Sequence, residues 1–198
     1  MSVLFLFLCK CVYKGKQSTV PKIEVKDLKM DDITVFNLLA AKTPFEKYHK
    51  QLMLFGQFVG SWDIDSVWYE ADEVSRRGQG EWHFNWILGG LGIQDVLFAV
   101  GADPHQYGTS LRCYDPKADV WRVSWMQPLG GEFVNLIGRR DEENIVLEGA
   151  GSDPSRLERW SFTEITRNSF VWLGEVSYDQ RNTWELEQKM EAKRRSLD

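Results

Sequence analysis

The sequence predicts an all-β protein: a closed antiparallel up-and-down barrel of about ten strands, preceded by a short helix. Three observations predict it. From Gly60 to Arg195, short segments alternate apolar and polar residues, the period of a half-buried strand. Gly, Asp, Asn and Pro separate these segments at connections of about 2 to 6 residues, too short for the crossover that a parallel pair requires. A meander of this many strands in one sheet would leave two open edges, and closure removes them.

The elements follow in order. Residues 1–42 read as a largely irregular tail and 43–198 as the barrel domain. Val3 to Cys9 (VLFLFLC) is the only purely apolar run, and it is too short to span a bilayer. It lacks the preceding basic residue and following cleavage site of a signal peptide. Residues 1 to 29 are expected to add little to folding, and Met30 offers an alternative start after the aperiodic stretch Lys14 to Lys29. A weak helix is predicted over Asp31 to Ala41. Thr43-Pro44 then reads as a helix start, with Thr43 as the cap and Pro44 at the first helical position. Phe45, Tyr48, Leu52 and Phe55 recur at helical spacing before Gly56, so this helix closes one end of the barrel.

After Gly60 the period becomes 2. Ten strands are predicted: Gly60–Tyr69, Gly78–Leu88, Ile93–Val100, Tyr107–Asp115, Val120–Gln127, Gly131–Arg140, Asn144–Ala150, Arg156–Glu164, Ser169–Ser177 and Thr183–Lys193. Gly89-Gly90-Leu91-Gly92 and Leu129-Gly130-Gly131 supply positive φ, and Asp115-Pro116 and Asp153-Pro154 make turns. Parity then separates two faces. Trp82, Phe84 and Trp86 oppose Glu81, His83 and Asn85; Trp121, Val123, Trp125 and Gln127 oppose Arg122 and Ser124. In the eighth strand Trp160 and Phe162 are set against Glu158, Arg159 and Ser161, and in the last Trp184, Leu186, Gln188 and Met190 against Glu185, Glu187, Lys189 and Glu191. The aromatic face points inward in a barrel surrounded by water. A single bulge would flip any of these assignments locally.

Composition narrows the function. The 198 residues fit one domain, with 43% hydrophobic and 27% charged residues and a net charge of −5. There is no basic stripe, and Lys193-Arg194-Arg195 is too short to make one, so nucleic acid and anionic membranes are poor partners. Cys9, Cys11 and Cys113 form neither a disulfide framework nor a zinc spacing, which favours a reducing, cytoplasmic compartment. No cofactor is implied: P-loop, Rossmann and serine-hydrolase patterns are absent, and a haem would need an axial ligand although no His follows residue 105. His83 and His105 with Asp103 have no recognised metal spacing.

A Gly-x-Trp at Gly60-Ser61-Trp62, with arginines late in the last strand, resembles the calycin group of lipocalins and fatty-acid-binding proteins. Longer strings, GEWHFNWIL (80–88), GIQDV (92–96), YGTSLRCYDP (107–116), WRVSW (121–125), RWSF (159–162) and TWEL (183–186), are similar to a lipocalin-like family carrying a domain of unknown function of the DUF1579 type. The resemblance covers residues 50 to 195 and implies a calycin-like barrel without a settled activity. Relatives commonly carry an acidic-Gly-Arg turn where this chain has Gly89-Gly90-Leu91, so no role for that Arg is carried over. The resemblance also implies a structural plug in which Arg194 or Arg195 covers the Trp62 indole.

The expected partner is a small hydrophobic or aromatic molecule held inside the barrel. Trp68, Phe84, Trp86, Trp125, Phe162, Trp172 and Trp184 either line that cavity or fill it, and ten strands enclose more space than side chains fill in an eight-stranded barrel. Gln127 and Gln188 are interior amides by parity and need partners, either each other or a ligand. No catalytic residue is assigned. Glu81, His83 and Arg112 are the best acid–base or anion-binding candidates, but parity puts Glu81 and His83 outside. A binding protein needs only the lined cavity. The alternative, a non-redox isomerase, cyclase or hydrolase acting on a hydrophobic metabolite, needs a titratable group such as Glu70, Glu81, His83 or Asp95 pointing inward.

Overall fold

The computed structural model describes residues 39–196. Ten antiparallel strands, β1 (Gly60–Glu70), β2 (Glu73–Ile87), β3 (Gly92–Ala99), β4 (Gly108–Asp115), β5 (Val120–Gln127), β6 (Glu132–Asp141), β7 (Asn144–Ala150), β8 (Leu157–Thr163), β9 (Ser169–Ser177) and β10 (Glu185–Arg194), pair in sequence order. The barrel closes where β1 meets β10, with Trp62 opposite Arg194 and Trp68 opposite Gln188. The predicted fold class is therefore the observed one.

Two strand boundaries differ from expectation. β1 and β2 run on to a tight turn at Ala71 and Asp72, both with positive φ (49° and 65°), where the sequence suggests a longer loop. Apart from the exposed Val74 this extension is polar, so it carries little core signal. β10 begins at Glu185, and its register against β9 shifts between Leu186 and Gln188.

A 3₁₀ turn (Glu46–Tyr48) and helix α1 (His49–Gly56) precede the barrel. Thr43 does not cap them, contrary to its sequence reading. The chain before the turn is extended instead: Ala41 N–H donates to Trp86 C=O and Phe45 N–H to Gly90 C=O. Backbone pairing onto the end of β2 has displaced the expected helical start. Gly90 is required there, because its φ is +86° and a Cβ would lie 2.2 Å from the Thr43 carbonyl oxygen.

α1 seats Leu52 and Phe55, and the following loop Phe58, in one end of the barrel, all essentially fully buried. The plug forms with Arg194: its guanidinium lies 4.0 Å from the Trp62 ring and donates to the carbonyls of Gln57, Val59 and Arg167. The Trp62 indole N–H donates to Phe58 C=O at 2.7 Å. Arg195 lies outside, bridging Asp63 and Glu81. The predicted helix over Asp31–Ala41 falls mostly outside the described residues, as do Val3–Cys9 and the cysteines at 9 and 11. No helix among the described residues is long and apolar enough to cross a membrane.

Candidate functional site

The barrel interior divides along its axis. The half under α1 is packed solid with rings. Phe58 touches Phe162 and Phe170 at centroid distances of 4.9 and 4.8 Å, and Phe55 meets Trp121 edge-on at 4.9 Å. Each strand contributes its residues nearest α1 to this layer, such as Phe84 and Trp86 of β2, Trp121 of β5 and Phe162 of β8. Aromatic area buried in this way supplies most of the cohesion of that half.

Across the middle runs an ion pair. Asp95 (β3) and Arg112 (β4) both point inward, their side chains with no exposure, and an Arg112 Nη1–H donates to an Asp95 carboxylate oxygen. The other Asp95 oxygen accepts the backbone N–H of Ser110 at 2.9 Å. Burial lowers the Arg112 pKa to about 9. The guanidinium also lies 5.4–5.9 Å from the rings of Phe55, Phe84 and Trp82.

Beyond that pair, the half opposite α1 holds a cavity of about 330 Å³. Its wall carries a succession of indoles. Trp125 and Trp160 meet at 83°, Trp160 and Trp172 at 62°, and Trp172 and Trp82 at 83°, with centroids 5.6–6.5 Å apart. Trp68 completes the lining, with the Arg76 guanidinium 3.8 Å from its ring. Glycines make room for these rings. A Cβ on Gly108 would lie 2.0 Å from Trp125 and one on Gly174 2.5 Å from Trp172, so the indoles occupy the space where inward side chains would otherwise stand.

One wall is ionic. Arg156, in the connection before β8, donates Nε–H and Nη2–H to Glu158 at 2.9 and 2.7 Å and Nη1–H to Glu187 at 2.9 Å. Burial raises the pKa of both carboxyls above the ordinary value, and Arg156 pulls them partly back. Glu132 accepts from the Trp125 indole at 3.2 Å. The indole N–H groups of Trp82 and Trp172 and the Ser110 hydroxyl are buried without a hydrogen-bond partner among the described residues.

Of the residues expected to meet a ligand, Trp68, Trp125, Trp172 and Gln188 line this cavity. Phe84, Trp86 and Phe162 point inward but lie in the packed half. Gln127 is buried and its amide is used internally, donating to Gln106 C=O and accepting from Gly130 N–H, so it pairs neither with Gln188 nor with the cavity. Trp184 is a correction: it stands outside the barrel under the Arg159 guanidinium, 4.2 Å away. The register shift at Leu186–Gln188 reverses parity before it and turns Glu187 toward the cavity beside Gln188. Glu158 is a second correction, since two residues from Trp160 it shares that residue's face and points inward.

Among the titratable candidates, Glu81 and His83 sit on the outer wall, joined to each other at 3.0 Å and to Arg195 and Ser61. The Arg195 guanidinium holds the Glu81 carboxyl below its usual range. Glu70 is exposed, and Asp95 alone of the four named residues faces inward. No group of three or more His, Cys, Asp or Glu among the described residues could hold a metal ion.

No protein-family model and no curated protein matches the chain. Among solved structures it is similar to the S-type phycobiliprotein lyase CPES from Guillardia theta, with a TM-score of 0.51, 8% identity, and coverage of 74% of this chain and 93% of that one. It is also similar to Rv2717c from M. tuberculosis, with a TM-score of 0.49, 13% identity, and coverage of 74% and 98%. At such identity the lyase match bears on the fold alone, the closed antiparallel barrel.

Proposed function

We propose that this protein binds a small, flat, hydrophobic or aromatic molecule in the open half of its barrel, with residues 43–198 as the binding domain. The observation that carries this reading is the cavity of about 330 Å³ walled by five tryptophans, within the size range of small-molecule sites. Indole faces offer large, rigid contact area to a planar ligand at little entropic cost. The proposal includes membership of the lipocalin-like family suggested by the sequence strings and a cytoplasmic location.

The test is titration with N-phenyl-1-naphthylamine, a neutral apolar fluorophore. Stoichiometric binding with quenching of tryptophan emission is expected, and Trp125→Ala should weaken it by ~1–3 kcal/mol through lost contact. Urea unfolding measured beside it separates contact from stability. Unchanged affinity in Trp125→Ala with reduced stability would make the indole structural, and no binding to the intact protein would end the proposal.

One observation favours a second reading, acid–base catalysis on a hydrophobic metabolite. Glu158 and Glu187 face the cavity with their carboxyl pKa values raised, a disposition suited to proton transfer. Asp95 does not serve it, being engaged by Arg112 and the Ser110 amide. Native mass spectrometry of protein purified from its own cells decides between the two: one retained compound supports binding, and a substrate–product pair that Glu158→Gln no longer interconverts supports catalysis.

A further inference from the structure

The outer wall at the barrel seam gathers a hydroxyl, an imidazole, a carboxylate and a guanidinium that the cavity does not use. Ser61 (β1) and His83 (β2) are a direct cross-strand pair on the outer face, and Asp63 and Glu81 form the next such pair. Side chains paired in this way stand about 4.5–5.5 Å apart at Cβ, so two strands set the spacing and no loop is involved. His83 Nδ1 lies 2.9 Å from Ser61 Oγ, and its Nε2 lies 3.0 Å from Glu81 Oε2.

The carboxylate decides which way the protons run. Arg195 holds the Glu81 carboxyl below its usual range, so at neutral pH Glu81 is ionised and can only accept. His83 Nε2 therefore carries the proton, and in the neutral imidazole Nδ1 presents a lone pair to the Ser61 hydroxyl, which donates to it. A hydroxyl is polarised in this way by a base that a third group orients. The imidazole is also held in plane. Phe98 stacks on it at 5.6 Å and 24°, and Tyr107 stacks on Phe98 at 4.2 Å and 14°.

Arg195 stands on the other side of Ser61, its backbone N–H donating to Ser61 C=O at 2.9 Å. Its Nε and Nη2 hold Asp63 at 2.7 and 2.6 Å, and its Nη1 holds Glu81 at 2.8 Å. Each terminal nitrogen keeps a second N–H, a donor for an oxyanion formed beside Ser61. The place is open to solvent, with the His83 and Arg195 side chains 35% and 38% exposed.

We infer that Ser61 is a nucleophile activated by His83, and that this outer wall hydrolyses small uncharged aryl esters whose ring lies along Phe98 and Tyr107. Ser61 Oγ bonds to the ester carbonyl carbon while its proton passes to His83 Nδ1. The bond from that carbon to the phenol oxygen breaks, and the phenol leaves with the proton. Water then gives a proton to His83 Nδ1 as its oxygen bonds to the acyl carbon. Ser61 departs, recovers the proton, and the carboxylic acid is released. Ser61 and His83 are the catalytic residues, and Glu81 is a positioning residue that fixes the tautomer. Nothing in this chemistry depends on the cavity.

Diisopropyl fluorophosphate, whose phosphorus takes the place of the acyl carbon and loses fluoride, tests the nucleophile on the full chain. Peptide mass spectrometry should find one adduct, at Ser61, forming at least about a hundredfold more slowly in His83→Ala and absent from Ser61→Ala. His83→Gln keeps hydrogen-bonding capacity at this position without a base, and should be as slow as His83→Ala. With p-nitrophenyl acetate, Glu81→Gln should lower kcat by at least about tenfold and leave KM unchanged, which a merely structural role would not do. The thermal midpoint and the affinity for N-phenyl-1-naphthylamine, measured on each variant, report the state of the barrel. No adduct, an adduct elsewhere, or labelling of Ser61 that persists in His83→Gln overturns the inference and makes the network a clasp on the seam. The reading of the cavity as a binding site stands or falls on its own probe.

Discussion

The two halves of this barrel are built from the same residue types and do opposite things. Under α1, Phe55, Phe58, Trp121, Phe162 and Phe170 interlock around the barrel axis, and Arg194 seals Trp62 from outside. In the other half, Trp68, Trp125, Trp160 and Trp172 lie against the wall and leave the axis to the cavity. The difference is what occupies the axis. α1 pushes Leu52 and Phe55 into one end, whereas among the described residues the other end receives no such element and its glycines let the indoles lie flat. Position along the barrel, more than composition, separates core from site.

The largest test of this division strikes the layer between the halves. Arg112→Ala leaves the Asp95 carboxylate buried without its counter-charge and should destabilise the fold by about 3–5 kcal/mol, read from urea unfolding. The pair Asp95→Asn with Arg112→Met should recover most of that loss, since removing both charges leaves neither stranded. If the single variant cost nothing, the ion pair would not be a structural partition.

A smaller effect is expected inside the open half. In Gly108→Ala the new Cβ meets the Trp125 ring at 2.0 Å and must drive it toward the cavity. Overpacking should cost about 1–3 kcal/mol of stability, and the affinity for N-phenyl-1-naphthylamine should fall with it. Retained affinity would show that Trp125 can move away from the ligand space.

The smallest effect is in pH. A carboxyl held above its ordinary value of 4.5 binds its proton more tightly folded than unfolded, so its stabilising effect is complete below that value and is lost as pH rises through the folded pKa. The wild type should therefore lose stability, relative to a Glu158→Gln and Glu187→Gln double variant, as pH rises from 4.5 toward neutrality. Asp115, Asp153 and Asp179 are shifted downward and act with the opposite sign, but they are common to both proteins and cancel in the difference. Parallel stability curves would show that the ionic wall is solvated.

The strand order was legible because alternation and turn residues act locally, and most of the hairpins close within a few residues. The division into core and cavity was not, because Phe84 and Trp125 have the same inward parity and differ only in height along the barrel. Height follows from strand tilt and from where α1 enters, neither of which leaves a local signal. Trp184 was misplaced because one extra residue near Glu187 inverts everything before it. The Asp95–Arg112 pair left a readable trace: Asp95 shares parity with Ile93 and Leu97, and Arg112 with Ser110, so each polar residue interrupts an inward row. Their partnership appears only once β3 and β4 are aligned, which brings Asp95 opposite Ser110 and next to Arg112.

The entry of the chain over Trp86 and Gly90 and its exit along β10 beside Arg194 fall at the same pole, the one capped by α1. Both attachment points thus sit opposite the mouth. The mouth hairpins, such as Pro128–Gly131, stand away from both of these junctions and become the places to cut and rejoin the barrel. A permuted barrel opened there would carry its new ends next to the ligand, where a reporter attached to one of them would sense occupancy directly.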